Sequence, residues 1–304
     1  RIGFRDGGGY DIALSGARLD VGPFMQSDDE VDLRAAGAQI PLRIDANIAE
    51  VMLGDGQILQ DVRAVLDGTD ADWRQVDVDA AIGGGARLTV RYRPDGTGRS
   101  LEIATENGGG ALRALGWTKR VSGGRLRIAG KQVAPGAPMA GAFSLKDFKV
   151  SEAPALARLL QVLSLTGIFS ALNQTGLDFV TLDGEFRYFG GVLEVKDTRA
   201  FGSSIGITTA GSIFTGANVV RLDGTIVPAY TINQVLGKIP ILGQILTGGK
   251  SEGVFAANYA LSGSLENPEV SVNPLSALAP GFLRNLIGGN AKPIDEKDVP
   301  SSAD

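Results

Sequence analysis

The chain has 304 residues, 43% of them hydrophobic, which is enough to bury a substantial core. Its net charge is −5, and both signs are interspersed along the chain, which argues against DNA or RNA as a partner because no basic stripe is present to neutralise phosphates. The sequence contains no His and no Cys, so it lacks the usual general base, thiolate nucleophile and metal ligands. We therefore expect neither an enzyme nor a cofactor.

The first half of the chain shows the clearest β-strand signal. Apolar and polar side chains alternate with a period of two, which places the apolar ones on one face of a strand. The runs span residues 40–48, 58–66, 76–82 and 88–92. Turn signals rich in glycine lie at residues 54–56, 67–68, 83–85, 94–96 and 123–124. We expect an antiparallel meander in which each strand pairs with the next one along the chain.

Glycines also recur inside the predicted strands, each flanked by apolar residues two or three positions away. Examples are Gly16, Gly184, Gly224 and Gly263. Such glycines are typical of bends and bulges, and they predict an elongated, curved antiparallel β-sheet that forms an open groove. Roughly eighteen strands at about 4.8 Å each would extend about 85 Å. The alternation alone fits the core of an ordinary sandwich or barrel equally well.

The second half of the chain adds short helical segments. Residues 153–173 form one predicted helix with a kink at Gly167. Its apolar face carries Leu156, Leu159, Leu160, Leu163 and Ile168. This helix fits either a cap packed over the end of the sheet or a segment that contacts a membrane surface or gates bound lipid. Further helices are predicted over residues 231–237, 240–246 and 274–287, followed by a polar, disordered tail.

Acidic clusters are the remaining candidates for catalysis. Asp28, Asp29 and Glu30 are adjacent, and Asp70 lies close to Asp72, but both groups lie in turn-like surroundings where carboxylates are solvated. The glycine triplets at 83–85 and 108–110 lack the Lys and Ser/Thr of a phosphate loop. Neither pattern favours a hydrolase or a nucleotide-binding protein.

Several sequence blocks in the second half resemble the C-terminal region of the AsmA-like family, YhdP-type members in particular. In order, they are Val-Pro-Ala-Tyr-Thr-Ile-Asn (227–233), Lys-Ile-Pro-Ile-Leu-Gly (238–243), Leu-Thr-Gly-Gly (246–249), Glu-Gly-Val-Phe (252–255) and Asn-Pro-Glu-Val-Ser-Val-Asn-Pro-Leu-Ser (267–276). Upstream, residues 106–116 and 123–126 are similar to the repeat that precedes this region in YhdP-type proteins.

The resemblance implies a non-enzymatic periplasmic protein, anchored to the inner membrane through a segment outside this sequence and related in architecture to TamB and other bridge-like lipid transporters. Such proteins form elongated β-grooves with an apolar lining and are implicated in phospholipid transport between the inner and outer membrane. The implied partner is the acyl chain of a phospholipid, with contacts to a membrane surface and to envelope proteins as further expectations.

We expect three parts: a β-meander groove segment at 1–150, an AsmA-like C-terminal region with amphipathic helices at 151–289, and a tail or linker at 290–304. The candidates for contact with acyl chains are Leu88, Val90, Tyr92, Phe186, Tyr188, Ile205, Ile207, Phe255 and Tyr259. The candidates for membrane contact or a gate are Leu156, Leu159, Leu160, Leu163, Ile168, Phe169, Ile241 and Leu242. The rival function is a structural or assembly factor for outer-membrane proteins or envelope machinery, which would bind partner strands at the sheet edges.

Overall fold

The computed structural model describes residues 1–4, 8–22, 40–53, 57–69, 72–228, 257–265 and 267–273. Within these residues, 67% lie in strands. The strands are β1 (Ile2–Phe4), β2 (Tyr10–Asp20), β3 (Pro41–Met52), β4 (Ile58–Thr69), β5 (Trp73–Ile82), β6 (Ala86–Asp95), β7 (Gly98–Thr105), β8 (Val121–Gln132), β9 (Met139–Val150), β10 (Leu177–Phe189), β11 (Val192–Gly202), β12 (Ile205–Phe214), β13 (Val219–Pro228), β14 (Ala257–Ser264) and β15 (Glu269–Asn273). The helices of the described residues are α1 (Gly108–Ala114), α2 (Pro154–Val162) and α3 (Thr166–Gln174).

All fifteen strands of the described residues belong to one sheet and follow one another across it in the order of the sequence. At about 4.8 Å between neighbours, the sheet extends about 67 Å from β1 to β15. This is shorter than the expected length because the described residues hold fifteen strands rather than roughly eighteen. The predicted fold class is confirmed: the chain is mainly β, with one elongated, curved, open sheet and a few short helices.

The direction of β2 and β3 departs from the predicted meander. These two strands run parallel, with Ile12 beside Ile44, whereas every other neighbouring pair is antiparallel. A parallel pair needs a long connection, and about twenty residues separate β2 from β3. Residues 23–39 of this connection, which include the acidic cluster at 28–30, lie outside the described residues.

Two of the predicted turns are correct and two are wrong. Left-handed glycines form the turns at residues 83–85 and at Gly96. At residues 67–68, however, β4 continues to Thr69, and the Thr69 amide donates to the carbonyl of Asp72, just before β5, at 2.9 Å. The strand continues because the Asp67 carboxylate is buried and pairs with Arg74 across the hairpin.

Gly123 and Gly124 also lie inside a strand rather than in a turn. Both have left-handed backbone angles, with φ of 66° and 87°, and both belong to β8. A Cβ atom on Gly124 would lie 2.8 Å from the Cβ of Phe148 and 2.9 Å from Leu145. Glycine is therefore required here for close packing against β9 as well as for backbone conformation. The predicted turn at 54–56 lies outside the described residues.

The predicted helix over 153–173 is two helices, α2 and α3, and the break lies before Gly167. Ser164 adopts a left-handed conformation, with φ of 57°. Its amide donates to Gln161 and the amide of Leu165 donates to Leu160, both at 2.9 Å, which is the Schellman pattern that ends a helix. The predicted helices over 231–237, 240–246 and 274–287 and the tail lie outside the described residues.

The best-buried part of the core lies where α2 and α3 meet the second half of the sheet. Leu160 and Leu172 on the helices and Ile205 and Ile226 on the strands are fully buried in one cluster. Arg158 on α2 donates from Nη1 to the Pro268 carbonyl beside β15 at 3.2 Å, so the helices that follow β9 reach the far strand of the sheet. Within the described residues, none of the helices combines the length and the apolar character needed to cross a membrane.

Candidate lipid-binding face

One face of the sheet carries a continuous row of apolar side chains, which we call the central row. Each member pairs directly with the next across neighbouring strands, from β3 to β9, and each is half-buried. The members are Ala46, Ala64, Val78, Val90, Ile103, Ile128 and Phe143. We call this side of the sheet the apolar face. The alternation in sequence places these residues together because a period of two keeps every second side chain on one face.

Burial on the apolar face falls from one end of the strands to the other. The upper end is where β7 ends and α1 begins, and residues there are buried: Ile48, Val62, Ala80, Leu88, Leu126 and Leu145. At β8 and β9, α1 covers this end, since Ala111 and Ala114 belong to the same buried cluster as Leu126 and Leu145. The central row below it is only half-buried, so part of the apolar surface is open to solvent or to a ligand.

Aromatic rings on this face lie directly over glycines of neighbouring strands. A Cβ atom on Gly184 would lie 2.7 Å from the ring of Phe143, and one on Gly130 would lie 2.9 Å from the ring of Phe186. A Cβ atom on Gly224 would lie 2.6 Å from the ring of Tyr259. The recurring glycines at 184 and 224 thus make room for rings from neighbouring strands, and Gly184 also lies at a register shift between β10 and β11, as the predicted bulges require.

Tyr259 is the most tightly held of these rings. Its hydroxyl donates to the Thr208 carbonyl at 3.0 Å, across β13, and the residue is buried. Burial raises the pKa of Tyr259 from 10.0 to about 12. The side chain therefore belongs to the packed part of the sheet, and its polar atom is satisfied by the backbone.

The wild type is expected to lose stability at alkaline pH because of Tyr259, and the Tyr259→Phe variant is expected to lack this loss. The folded protein keeps the Tyr259 proton up to about pH 12, whereas the unfolded chain loses it near 10.0, so wild-type stability is full below that lower value and falls as the pH rises through the higher one. The fall is on the order of 2 kcal/mol. Urea unfolding of both proteins at about pH 9 and about pH 12 measures it. Identical pH dependence in wild type and variant would contradict the prediction.

The predicted contacts for acyl chains occupy three different environments. Val90 and Ile207 are half-buried on the apolar face, and Tyr188 is exposed at the lower end of β10. Four others are buried in the packed part of the face: Leu88, Phe186, Ile205 and Tyr259. Phe255 lies outside the described residues. The alternation places the described candidates on one face of the sheet, but it does not separate the packed positions from the open ones, and their contact with acyl chains stays a prediction.

Tyr92 marks a polar rim at the lower end of the apolar face. The guanidinium of Arg99 lies 5.6 Å from the centre of the Tyr92 ring, and its Nη1 atom donates to the Tyr92 hydroxyl at 3.1 Å. Nη2 of Arg99 also pairs with Asp72 at 2.6 Å. Asp72, considered above as half of an acidic cluster, is therefore engaged in an ion pair at this rim. Asp70 lies outside the described residues.

The predicted helix contacts are mostly turned toward the sheet. Leu159, Leu160 and Leu163 are buried in the main cluster. Leu156, Ile168 and Phe169 are half-buried and pack against the same cluster. Ile241 and Leu242 lie outside the described residues. This burial fits the cap interpretation of the helix, and contact with a membrane through these side chains remains a prediction.

The opposite face, which we call the polar face, carries cross-strand ion pairs. Nη2 of Arg91 lies 2.6 Å from Asp79, and Nε of Arg93 lies 2.6 Å from Asp77. Burial alone would raise the pKa of Asp77, but hydrogen bonds from Arg93 and Gln75 outweigh it and lower the pKa below its usual value. Lys196 and Glu185 form a further pair at 2.8 Å. These pairs keep the polar face hydrated and distinguish it from the apolar one.

A hollow of about 840 Å³ lies over β7 to β11, and most of its lining residues belong to the polar face. Its charged lining residues include Glu102, Arg127, Asp183 and Arg199. The hollow exists partly because Ala129 and Ala142, which are cross-strand partners, leave space between longer charged side chains. The sequence does not predict this hollow, because the pairing of Ala129 with Ala142 depends on the register of β8 and β9.

In the part of the chain that the structure describes, no three acidic side chains come together in a way that could hold a metal ion. No protein-family model, no curated protein and no solved structure matches the chain. What the fold and the site define is a class: an open, single-sheet β-protein with one continuous apolar face and one charged face. The resemblance to the AsmA-like family stays a prediction.

Proposed function

We propose that this chain is a non-enzymatic, lipid-binding segment of an AsmA-like, bridge-like protein that carries phospholipid across the periplasm between the inner and outer membrane. The observation that supports the proposal most directly is the central row, which crosses β3 to β9 without interruption. In the proposed arrangement, acyl chains lie along this row, and the chain is anchored to the inner membrane by a segment outside the given sequence.

The energetic requirement explains why continuity matters. Removing two ordinary acyl chains from a bilayer into water costs on the order of 20 kcal/mol, at about 0.8 kcal/mol per methylene. A row of half-buried Ala, Val, Ile and Phe side chains offers apolar contact at every strand from β3 to β9, so a lipid moves along it without crossing a polar gap. No chemical step is needed, and transport is passive along the face.

The phospholipid head group would lie at the polar rim at the lower end of the apolar face. Arg99 and Tyr92 present polar atoms immediately beside the apolar side chains Val90 and Leu101. Head groups are strongly hydrated, so they favour a position where the apolar face ends and solvent begins. The lipid would therefore lie with its acyl chains on the central row and its head group toward this rim.

The purified chain is expected to carry phospholipid. Mass spectrometry of an organic extract should detect phospholipid at a stoichiometry well above that of an unrelated β-protein purified from the same cells. The reason is that exposed apolar surface of this continuity recruits lipid during expression. A folded protein with no more lipid than the control protein would contradict the proposal.

A second candidate function, an assembly factor that binds other proteins by strand addition, is favoured by the edge strand β1. Phe4 on this strand is 84% exposed, and Ile2 is exposed beside it. Among the described residues, β1 is an edge strand, and an edge with exposed apolar side chains suits the addition of a partner strand. The N–H of Ile2 points away from β2, because the hydrogen-bonded pairs of this ladder are Arg1 with Ala13 and, two residues on, Gly3 with Asp11. A lipid-free protein that captures an envelope protein, and loses it when Ile2 is replaced by proline, would favour this function.

A further inference from the structure

The loop that follows α1, residues 115–120, presents large apolar side chains to solvent in a fixed conformation. Trp117 is 59% exposed and Leu115 is 47% exposed. The amide of Gly116, with φ of 73°, donates to Arg113 at 3.0 Å, and the amide of Trp117 donates to Leu112 at 2.9 Å. These are the two hydrogen bonds of a Schellman motif, so the backbone holds Trp117 outward.

The same loop lies in a basic part of the sequence, which departs from the general interspersion of charges. Between Glu106 and Asp147 there is no acidic residue, although the chain as a whole has a net charge of −5. The basic residues of this stretch are Arg113, Lys119, Arg120, Arg125, Arg127, Lys131 and Lys146. Three of them flank Trp117, and Arg120 is held in place by its Nε donating to the Glu152 carbonyl at 3.0 Å.

We propose that the loop at 115–120 docks on a bilayer surface that carries anionic lipid. Trp is favoured at the interface because its ring is apolar and its N–H reaches polar groups, and Leu115 adds apolar area beside it. Arg113, Lys119 and Arg120 would lie at the level of the phosphates, where each basic residue strengthens binding. An exposed Trp among cations is thus complementary to an anionic membrane in both polarity and charge.

The docking position connects to the apolar face. Helix α1 packs against the upper end of β8 and β9, and the loop extends from its last turn. A bilayer that receives Trp117 would lie beside this covered end, and lipid would pass around α1 to reach the half-buried central row. This last step rests on the proposed function, whereas the docking itself does not.

Vesicle binding tests the docking directly. Vesicles of phosphatidylcholine with about a third phosphatidylglycerol are expected to sediment the protein, and pure phosphatidylcholine vesicles to do so far less, with binding weakened by salt. Trp117→Ala should weaken binding by about tenfold or more, and Lys119→Gln by about fivefold. The matched control is Val133→Ala, because Val133 is also highly exposed but lies just beyond the far end of β8, a strand about 36 Å long at 3.3 Å per residue.

Fluorescence adds a site-specific readout. The chain has two tryptophans, so Trp73→Phe leaves Trp117 as the single tryptophan, whose emission is excited selectively at wavelengths that tyrosine does not absorb. Its emission should shift to shorter wavelength with anionic vesicles and be quenched by lipids brominated near the head group. Equal binding to both vesicle types, no binding to either, or equal loss in Trp117→Ala and Val133→Ala would each overturn the proposal.

Different results would contradict the docking proposal and the proposed lipid-carrying function. Trp117→Ala is expected to retain the phospholipid found in organic extracts of the wild type. A protein that binds anionic vesicles but carries no extractable lipid would support docking and contradict the proposed function. A protein that carries extractable lipid but does not bind vesicles would support the proposed function and contradict docking.

Discussion

Replacing Ile103 by aspartate is expected to abolish co-purification of phospholipid. Ile103 lies in the middle of the central row, with Val90 and Ile128 as its direct partners on the two neighbouring strands. An acyl chain laid along the row would cover the new carboxylate, and an unpaired buried charge costs several kcal/mol. Because Ile103 is half-buried without lipid, the carboxylate can reach water in the lipid-free protein, and the fold should persist.

Ala104→Asp is the matched control for this variant. It places the same side chain one residue further along β7, on the polar face, where its direct partner across the strand pair is Arg127. A carboxylate opposite a guanidinium is favourable, and no acyl chain is proposed to lie on that side. Lipid content in the extract should therefore equal that of the wild type.

The comparison is decided by lipid content per folded molecule. Circular dichroism and urea unfolding establish that both variants are folded, and mass spectrometry of the extracts measures the phospholipid. A folded Ile103→Asp protein with wild-type lipid content would show that lipid does not lie on the central row. Equal loss in both variants would indicate an effect of charge on the whole sheet rather than on one face.

The strands could be predicted from the sequence, but their directions could not. Alternation identifies which residues share a face, and it placed Val78 and Val90 on the apolar side of their strands, where they are direct partners. It carries no information on whether two strands run parallel, so the pairing of β2 with β3 was missed. The turn at 67–68 was misplaced for a related reason: Asp-Gly favours a turn locally, but the buried pair of Asp67 with Arg74 holds both residues in the strand.

Helix α1 could not be predicted because three glycines at its start are poor helix formers. The structure shows what they provide: a Cβ on Gly108 would lie 2.5 Å from Leu145, so only glycine lets the helix approach β9 this closely. Asn107 caps the helix by accepting from the Gly110 amide at 2.9 Å, while its Nδ2 donates to the Gly83 carbonyl at 3.0 Å. A carboxylate at position 107 could cap the helix but could not donate to Gly83.

Leu160→Ala in α2 is expected to lower the free energy of unfolding by about 2 to 5 kcal/mol. Leu160 has no exposed surface and packs in one cluster with Leu172, Ile205 and Ile226. Truncation would leave a cavity at the point where the helices meet the strands, and a packed cluster cannot close it completely. Urea unfolding measures the loss as a shift of the midpoint at unchanged slope.

Val162→Ala provides the control on the same helix, because Val162 is 60% exposed. Its removal should change stability by about 0.5 kcal/mol or less. The pair of variants separates the two interpretations of this helix. If the helix is a cap, Leu160→Ala destabilises the protein and Val162→Ala does not. A segment that leaves the sheet to gate lipid would instead contribute little to stability through either residue. In the second case Leu160→Ala would lower the free energy of unfolding only slightly. That result would contradict the cap interpretation, because it would mean that α2 is not packed against the sheet in solution.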